Sequence, residues 1–371
     1  MSDTPSGSAL HPVLHTRFCD LVGCRYPIVQ TGMGWVSGAS LTAATSCAGG
    51  FGILAAVTMT PDQMVDAITA VKVRTTNPFG VNLRADQPDL ADRIELCMRE
   101  DVRMVSFAGA TTKDAIAELH GAGVLVMPTV GALRHAEKML DWGVDAVIAQ
   151  GGEGGGHTGV VPTSLLLPQV VDAVGAEIPV LAAGGFHDGR GLVAALAWGA
   201  DGVAMGTRFL LTQESRVPGA IKRRYLEAAV TDTVVTTALD GARQRVIRTD
   251  TVDRLERASP LSRLPRALRA ALAFRRLTGT PLPDLIREGV AMRKNQGLSW
   301  AQVAMAANAP MLIKAALVDG KAEVGVLPTG QVTGVIDELP TVAELLDRIA
   351  AEATATLERL QGSHESEDES L

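Results

Sequence analysis

The chain has 371 residues, of which 47% are hydrophobic and 20% are charged, so it can fill a large core and is not intrinsically disordered. Aromatic residues make up only 4%, while glycine is frequent with 38 residues, a composition that suits buried parallel strands and close backbone approaches to a ligand. The formal net charge is −7, yet residues 216–294 contain 17 Lys and Arg against 8 Asp and Glu. This local positive charge would attract an anionic partner, or it would form solvated helical faces.

The N-terminus and the cysteines exclude several classes of protein. Residues 1–12 have no secretion signal and no apolar run is long enough to span a bilayer, so we expect a soluble, cytoplasmic protein without membrane or nucleic-acid partners. The four cysteines form no Cys-x-x-Cys pair, which predicts no metal site. Cys47 and Cys97 fall in helical patterns, and we expect both to be buried and reduced.

From residue 26 onward, short apolar runs alternate with amphipathic stretches. The predicted strands are Pro27–Gln30, Gly52–Ala55, Phe79–Leu83, Met104–Phe107, Val124–Thr129, Ala146–Gln150, Val180–Ala183 and Gly202–Met205. The predicted helices are Leu41–Ala48, Pro61–Arg74, Leu90–Arg99, Lys113–His120, Leu133–Trp142, Ser164–Val174 and Arg190–Trp198, with an eighth that begins near Thr207. Eight strand–helix units predict a closed (β/α)8 TIM barrel. The alternative, an open doubly wound sheet, lacks its usual glycine motif after the first strand.

The regular alternation stops after the eighth strand. We predict five segments: an N-terminal segment at 1–25, the barrel core at 26–212, a basic helical cap or lid at 213–300, a C-terminal helical region at 301–360 that packs on the barrel, and a disordered acidic tail at 361–371. The cap contains a short strand pair around Val234–Val246 and basic helical stretches at Ala220–Ala229, Arg263–Leu277 and Leu285–Lys294. A long extension from the last barrel loop falls on the face where barrels have their active sites.

Glycine pairs follow the last two predicted strands. Gly184 and Gly185 come directly after the seventh strand, and Gly206 and Thr207 come after the eighth. These two loops form the usual phosphate site of a TIM barrel, built from backbone N–H groups and a short helix N-terminus. Tight strand–helix turns also favour glycine, but two such turns side by side favour phosphate binding.

Polar side chains end two other strands. Asn82 offers the donor and acceptor that a flavin pyrimidine edge requires, although a turn-forming asparagine fits equally well. Gln150 precedes a glycine-rich loop that carries His157, a residue able to donate or accept a proton near neutral pH. Glu153 in this loop either orients His157 or is solvated.

The stretch from Tyr26 to about Phe209 resembles the nitronate monooxygenase (2-nitropropane dioxygenase-like) family of FMN-dependent oxidoreductases. The matching pieces, in order, are PIVQTGMGW, AGGFGILAA, FGVNL, QGGEGGGHTG, PVLAAGGF and GVAMGTRFL. The resemblance implies an FMN site at Met33, Gly34, Asn82, Gln150, Gly155, Gly184, Gly185, Gly206 and Thr207. The last four would hold the phosphate, and the backbone of the first two would contact the cofactor. His157 matches the catalytic histidine of the family's Gly-Gly-His motif.

The whole chain, including KRRYLEA, TVVTT and MAANAPMLIKAALVDG, is similar to an actinobacterial branch that contains the flavin oxidoreductase of steroid C/D-ring catabolism. This resemblance implies an anionic acyl-CoA substrate, whose phosphates the basic segment would suit. We expect C=C formation or reduction next to a carbonyl. NAD(P)H would be an optional electron donor, or NAD(P) an optional electron acceptor. The chain could form a homo-oligomer. The alternatives are nitronate oxidation with O2, enoyl-thioester reduction, and a flavin-carrying regulatory protein.

Overall fold

The protein is described by a computed structural model that covers residues 10–109, 111–257 and 308–368. Eight parallel strands close into a barrel in which each strand pairs with the next and the last pairs with the first. The strands are β1 (Ile28–Gln30), β2 (Phe51–Ala55), β3 (Gly80–Leu83), β4 (Met104–Phe107), β5 (Leu125–Val130), β6 (Val147–Gln150), β8 (Val180–Ala183) and β9 (Gly202–Met205). The predicted TIM barrel is confirmed, and each strand lies within one residue of its predicted bounds.

The barrel strands are buried on both faces, so successive residues contribute to two different apolar clusters. Val29, Ile53 and Ile148 belong to the cluster inside the barrel, whereas Ile28 and Leu54 pack with the surrounding helices. This double burial explains why the strands appear in the sequence as continuous apolar runs rather than as alternating patterns.

Helices surround the barrel and continue into the C-terminal half. In chain order they are α1 (Arg17–Val22), α2 (Ala39–Cys47), α3 (Pro61–Lys72), α4 (Leu90–Arg99), α5 (Lys113–Gly121), α6 (Leu133–Asp141), α7 (Thr163–Val174), α8 (Gly189–Ala197), α9 (Thr207–Leu210), α10 (Gly219–Leu226), α11 (Asp250–Arg257), α12 (Asn308–Leu317) and α13 (Val342–Asp368). Side-chain caps determine where several helices begin. Thr60 forms a capping box with Gln63 at the start of α3, and Thr112 and Asp188 cap the starts of α5 and α8. None of the helices in the described ranges has the length and apolar character needed to span a bilayer.

Helix α1 closes the N-terminal end of the barrel, a role that the sequence pattern did not predict. Phe18 is fully buried and meets Phe51 of β2 edge to face, with 6.0 Å between ring centroids. Arg17 pairs with Asp201 just before β9, at 3.0 Å. Part of the predicted N-terminal segment is therefore built into the barrel core.

We expect Phe18→Ala to lower the free energy of unfolding by about 3–5 kcal/mol, because it removes a buried aromatic ring and leaves a cavity. Urea denaturation followed by circular dichroism measures this change. Val13→Ala, at a side chain that is 47% exposed, is the control and should change stability little. Equal effects of the two substitutions would show that α1 does not close the barrel.

A second, three-stranded antiparallel sheet is formed by loops that follow the barrel strands. It has the order β10 (Thr233–Thr236), β11 (Gln244–Ile247) and β7 (Gly156–His157). The predicted strand pair around Val234–Val246 is confirmed by the pairing of β10 with β11. The sequence did not predict β7, because two residues in a glycine-rich loop carry no strand pattern.

The C-terminal helix packs on the barrel helices. Gly189 at the start of α8 donates its backbone N–H to Glu352 of α13, at 2.9 Å, and a Cβ at Gly189 would lie 2.4 Å from the backbone nitrogen of Ala353. Helix α13 continues to Asp368, so residues 361–368 are helical where the sequence predicts a disordered tail. Glutamate has a high intrinsic helix propensity, so an acidic segment can continue a helix.

The expectation that both Cys47 and Cys97 are buried is half confirmed. Cys97 is buried as predicted, but Cys47 is exposed, because it is the last residue of α2 and lies at the end of the packed face. The predicted basic stretches at Arg263–Leu277 and Leu285–Lys294 lie outside the described residues.

Candidate active site

The loop after β1 lies directly on the end of β3. A Cβ at Gly32 would be 2.3 Å from Cβ of Asn82, so this approach requires glycine. The Asn82 amide nitrogen donates to the backbone oxygen of Ser106 on β4, at 3.3 Å, which fixes the orientation of the amide. Asn82 is buried, as expected for an amide with a defined role at a strand end.

A buried glutamine shapes the same loop. Gln30 at the end of β1 donates through Nε2 to Ser37 Oγ at 2.8 Å, and that hydroxyl accepts the backbone N–H of Met33 at 2.9 Å. The Met33 sulfur would lie 3.4 Å from a Cβ placed on Gly206, so the loops after β1 and β9 touch. Gly34 packs towards Thr58, whose Cγ2 would lie 3.1 Å from an added Cβ. Direct contacts of Met33 and Gly34 with a flavin stay a prediction.

The predicted phosphate loops form a cradle of backbone. Gly184 and Gly185 directly follow β8 with φ of 100° and 88°, left-handed values that favour glycine. A Cβ at Gly184 would lie 3.0 Å from Thr163 Oγ1 and 3.1 Å from the backbone nitrogen of Gly154. Gly206 is the N-cap of α9 and Thr207 is its first residue. The two glycine turns and the helix start therefore meet at the same end of the barrel.

A segment from the C-terminal half enters this cradle, and no sequence pattern predicted it. The backbone N–H of Gly330 donates to Thr207 Oγ1 at 2.9 Å, and a Cβ at Gly155 would lie 2.5 Å from the Gly330 nitrogen. The Tyr225 hydroxyl stabilises the position of this segment by donating to the backbone oxygen of Pro328 at 2.9 Å. Burial raises the pKa of Tyr225, so its hydroxyl stays protonated and can donate. The Thr207 hydroxyl, which accepts from Gly330, also lies 3.5 Å from the Thr329 hydroxyl, so its own hydrogen is shared between a long bond to Thr329 and any ligand in the cradle.

The glycine-rich loop after β6 is held by two side chains. Gln150 donates through Nε2 to the backbone oxygen of His157, at 2.7 Å. Arg245 on β11 donates through Nη2 to the backbone oxygen of Gly152, at 2.9 Å, and burial lowers the pKa of this guanidinium. Gln150 thus supports the loop backbone, and the flavin contact predicted for it stays a prediction.

His157 is paired with a carboxylate that sequence analysis missed. Its Nε2 lies 2.8 Å from Oδ2 of Asp240, whose side chain is only 9% exposed while that of His157 is 68% exposed. Gln244 also donates its amide to the same Asp240 oxygen. Glu153 does not orient His157: its carboxylate accepts the backbone N–H and hydroxyl of Thr163, at 2.9 and 2.6 Å.

The ten predicted site residues therefore lie around the C-terminal mouth of the barrel. Contacts connect Asn82 to the loop of Met33, Met33 to Gly206, Thr207 to Gly330, and Gly330 to Gly155. Asp240, Gln244, Arg245 and Gly330 complete the site. A turn-forming Asp-Gly between two short strands was the only signal for Asp240, and it indicates a hairpin rather than a catalytic group.

Several cations of the basic segment are committed to protein partners. Lys222 is buried and donates to the backbone oxygens of Thr212 and Ser215, at 2.6 and 2.7 Å, and burial lowers its pKa. Arg248 pairs with Asp253 at 2.9 Å. Arg243 lines a cavity of about 340 Å³ together with Val235, Thr236, Thr237, Ala238 and Glu256, next to the turn that carries Asp240.

Comparison with known proteins identifies the family. The family model described as nitronate monooxygenase matches residues 15–352. The chain belongs to the nitronate monooxygenase family. Members of this family are flavin oxidoreductases, so the protein is an oxidoreductase. This finding supports an enzyme over the alternative of a flavin-carrying regulatory protein.

The protein is also similar to named enzymes along almost its whole length. The (3aS,4S,5R,7aS)-5-hydroxy-7a-methyl-1-oxo-octahydro-1H-indene-4-carboxyl-CoA dehydrogenase of Mycobacterium tuberculosis is 56% identical over 346 residues, covering 93% of this chain and 98% of that enzyme. The Rhodococcus jostii enzyme of the same name is 53% identical over 347 residues, covering 94% and 98%. Among solved structures, FabK from Thermotoga maritima superposes with a TM-score of 0.75 at 35% identity, covering 94% of this chain and 99% of FabK.

Proposed function

We propose that the protein is an FMN-dependent dehydrogenase that introduces a C=C bond next to the thioester carbonyl of a bicyclic acyl-CoA. The observation that carries this proposal is the similarity, over nearly the full length of both chains, to two dehydrogenases of a hydroxy-oxo-indene-carboxyl-CoA, at 56% and 53% identity. His157 lies in the loop after β6 with a side chain that is 68% exposed, and its imidazole supplies the proton donor or acceptor that such a reaction needs.

The residues at the barrel mouth fit FMN. Successive glycines with positive φ at 184 and 185 form a concave turn of backbone, and Thr207 begins a helix beside it, an arrangement suited to a phosphate. Asn82 provides an amide on β3, across the barrel from β8, and Gln150 provides one on β6, which is paired directly with β8. The buried Oε1 of Gln30 has no partner among the described residues, so an acceptor is present for a ligand N–H at the end of β1.

In the proposed reaction, His157 removes the proton from the carbon next to the thioester carbonyl. The neighbouring carbon loses a hydride, and bound FMN would supply the hydride acceptor. The substrate thus loses one proton and one hydride as the C=C bond forms, and the charge that develops on His157 is paired with Asp240. Gln150 and Arg245 hold the loop so that the imidazole stays above the mouth.

A cavity beside the barrel mouth is the candidate site for the CoA part of the substrate. Arg243 offers a guanidinium, and Thr236, Thr237 and the carboxylate of Glu256 line the same cavity, beside the turn of Asp240. The guanidinium and the hydroxyls suit the phosphates and amides of CoA, whereas the carboxylate does not attract phosphate. An electron acceptor must reoxidise the flavin for turnover, and we propose NAD(P) or an artificial acceptor for this step.

An anaerobic titration tests the proposal. We expect the FMN-loaded protein to lose its oxidised-flavin absorbance when the hydroxy-oxo-indene-carboxyl-CoA thioester is added, with the unsaturated thioester as the product. The corresponding free acid is the matched control and should leave the spectrum unchanged, because the acid ionises and its α-proton is far less acidic. Mass spectrometry of the thioester measures the loss of two hydrogens.

Other outcomes would contradict this function. Rapid O2 consumption with propionate 3-nitronate, without reduction by the thioester, would identify a nitronate monooxygenase. Reduction by NADPH followed by reoxidation with crotonyl-CoA, again without dehydrogenation, would identify an enoyl-thioester reductase. A protein that cannot be loaded with FMN would overturn the cofactor assignment.

A further inference from the structure

The contacts of Asp240 determine which ring nitrogen of His157 carries hydrogen. The carboxylate of Asp240 accepts the backbone N–H of Ala242 through Oδ1 at 3.0 Å, and its Oδ2 lies 2.8 Å from Nε2 of His157. An ionised carboxylate only accepts hydrogen bonds, so Nε2 must be the donor. In neutral His157 the lone pair is then on Nδ1.

The fold holds this pair in place from two sides. Gln244 on β11 lies directly opposite His157 on β7, and opposed residues of antiparallel strands point to the same face. Gln244 is 1% exposed and donates its amide to Asp240 Oδ2, which fixes the carboxylate. Gly241, with φ of 88°, completes the turn that brings Asp240 back towards β7.

The two ring nitrogens of His157 differ in their contacts. Nε2 faces the carboxylate of Asp240, whereas Nδ1 has no hydrogen-bond partner among the described residues. The His157 side chain is 68% exposed, so Nδ1 is the nitrogen left for a substrate. Gln244 Nε2 is also 3.3 Å from His157 Nε2, but both atoms carry hydrogen in this arrangement, so they share Asp240 rather than bond to each other.

We propose that Asp240, held by Gln244, is a positioning residue that keeps hydrogen on Nε2 of His157, so that Nδ1 is the atom that exchanges the proton with the substrate. This inference rests on the proposed function for the proton-transfer step. As the substrate C–H bond breaks, its proton moves to Nδ1, and the imidazolium that forms is stabilised by the carboxylate at Nε2. Bound FMN would supply the acceptor for the hydride of the neighbouring carbon, which accounts for the second of the two hydrogens removed.

The tautomer is tested without substrate. We expect two-bond ¹H–¹⁵N spectra of the FMN-loaded, ¹⁵N-histidine-labelled protein to show His157 protonated on Nε2 and bare on Nδ1, with His157→Gln used to assign its signals. In Asp240→Asn, the amide can donate to Nε2, and we expect the opposite tautomer to gain population. Hydrogen on Nδ1 in the unmodified protein, or an unchanged tautomer in Asp240→Asn, would overturn the inference.

Kinetics tests the consequence for turnover. Asp240→Asn should lower kcat by about 10²–10⁴-fold with KM changed by less than about threefold, because an aspartate that fixes a catalytic histidine acts mainly on the chemical step. Asp240→Glu should recover part of the loss. Asp232→Asn is the matched control, since Asp232 accepts the backbone N–H of Ala229 at 2.8 Å and does not contact His157.

The two tests separate two kinds of failure. If the acyl-CoA is not dehydrogenated, the proposed function fails, while the spectra still show whether Asp240 fixes the tautomer. If the tautomer is as expected but Asp240→Asn leaves kcat unchanged, Asp240 is not a positioning residue for catalysis. If kcat and the thermal stability of the FMN-loaded variant fall while the tautomer is retained, Asp240 is a structural residue of the hairpin.

Discussion

His157→Ala is expected to keep FMN bound and to lose turnover of the acyl-CoA by about 10²–10⁴-fold, the usual range for a general acid or base. The reason is geometric: the imidazole stands at the barrel mouth on β7, while the cradle that would hold the phosphate is built from other loops. Single-turnover reduction of the flavin by the thioester, followed anaerobically, measures the chemical step. The flavin content of the purified variant is measured from the same spectrum.

His135→Ala is the control for this substitution. His135 is exposed on α6 and should leave both flavin content and reduction rate unchanged. Unchanged flavin reduction in His157→Ala would remove His157 from the mechanism. A variant that loses FMN and activity together would instead show that His157 contributes to the cofactor site.

Gly184→Ala is expected to weaken FMN binding by about 100-fold, which corresponds to about 2.7 kcal/mol. Two effects add: a side chain at φ of 100° is strained by about 1–2 kcal/mol, and the new Cβ would lie 3.0 Å from Thr163 Oγ1. Relief of both requires the turn after β8 to move, and that turn forms the proposed phosphate site. Fluorescence titration of the flavin-free protein with FMN measures the dissociation constant.

Gly123→Ala provides a matched control for the strain alone. Gly123 has φ of 75°, and an added Cβ would have no heavy atom within 4 Å. Gly123 lies between α5 and β5, at the end of the barrel opposite the proposed phosphate site. We expect this variant to melt a few degrees lower while it binds FMN as the unmodified protein does. Equal FMN affinity in both variants would contradict the assignment of the phosphate site.

The two predictions address separate parts of the molecule. The barrel provides the cradle at residues 184–185 and 206–207, whereas the hairpin of β10 and β11 provides the partners of His157. The cap segment that the sequence predicts at 213–300 therefore contains the two residues, Asp240 and Gln244, that hold His157. Substitutions in the hairpin should affect proton transfer, and substitutions in the cradle should affect cofactor binding.

The sequence alone predicted the barrel and the residues at its mouth, because both depend on local patterns. Strands buried on both faces require uninterrupted apolar runs, and glycines that approach a ligand must follow those strands. His157 could be selected because it stands in such a glycine loop. Membership of the flavin family was equally evident from contiguous motifs.

The contacts that complete the mouth depend on the packing of distant segments. Asp240 lies 83 positions from His157, and Gly330 lies 123 positions from Thr207, yet each pair is within hydrogen-bond distance. No local period encodes such contacts: Asp240 has the pattern of a turn and Gly330 that of a loop, and β7 is too short to show a strand pattern. Periodicity indicates which face of an element is buried, but the partner of a polar group depends on how distant segments pack. For this reason the sequence predicted His157 and did not predict its partner Asp240.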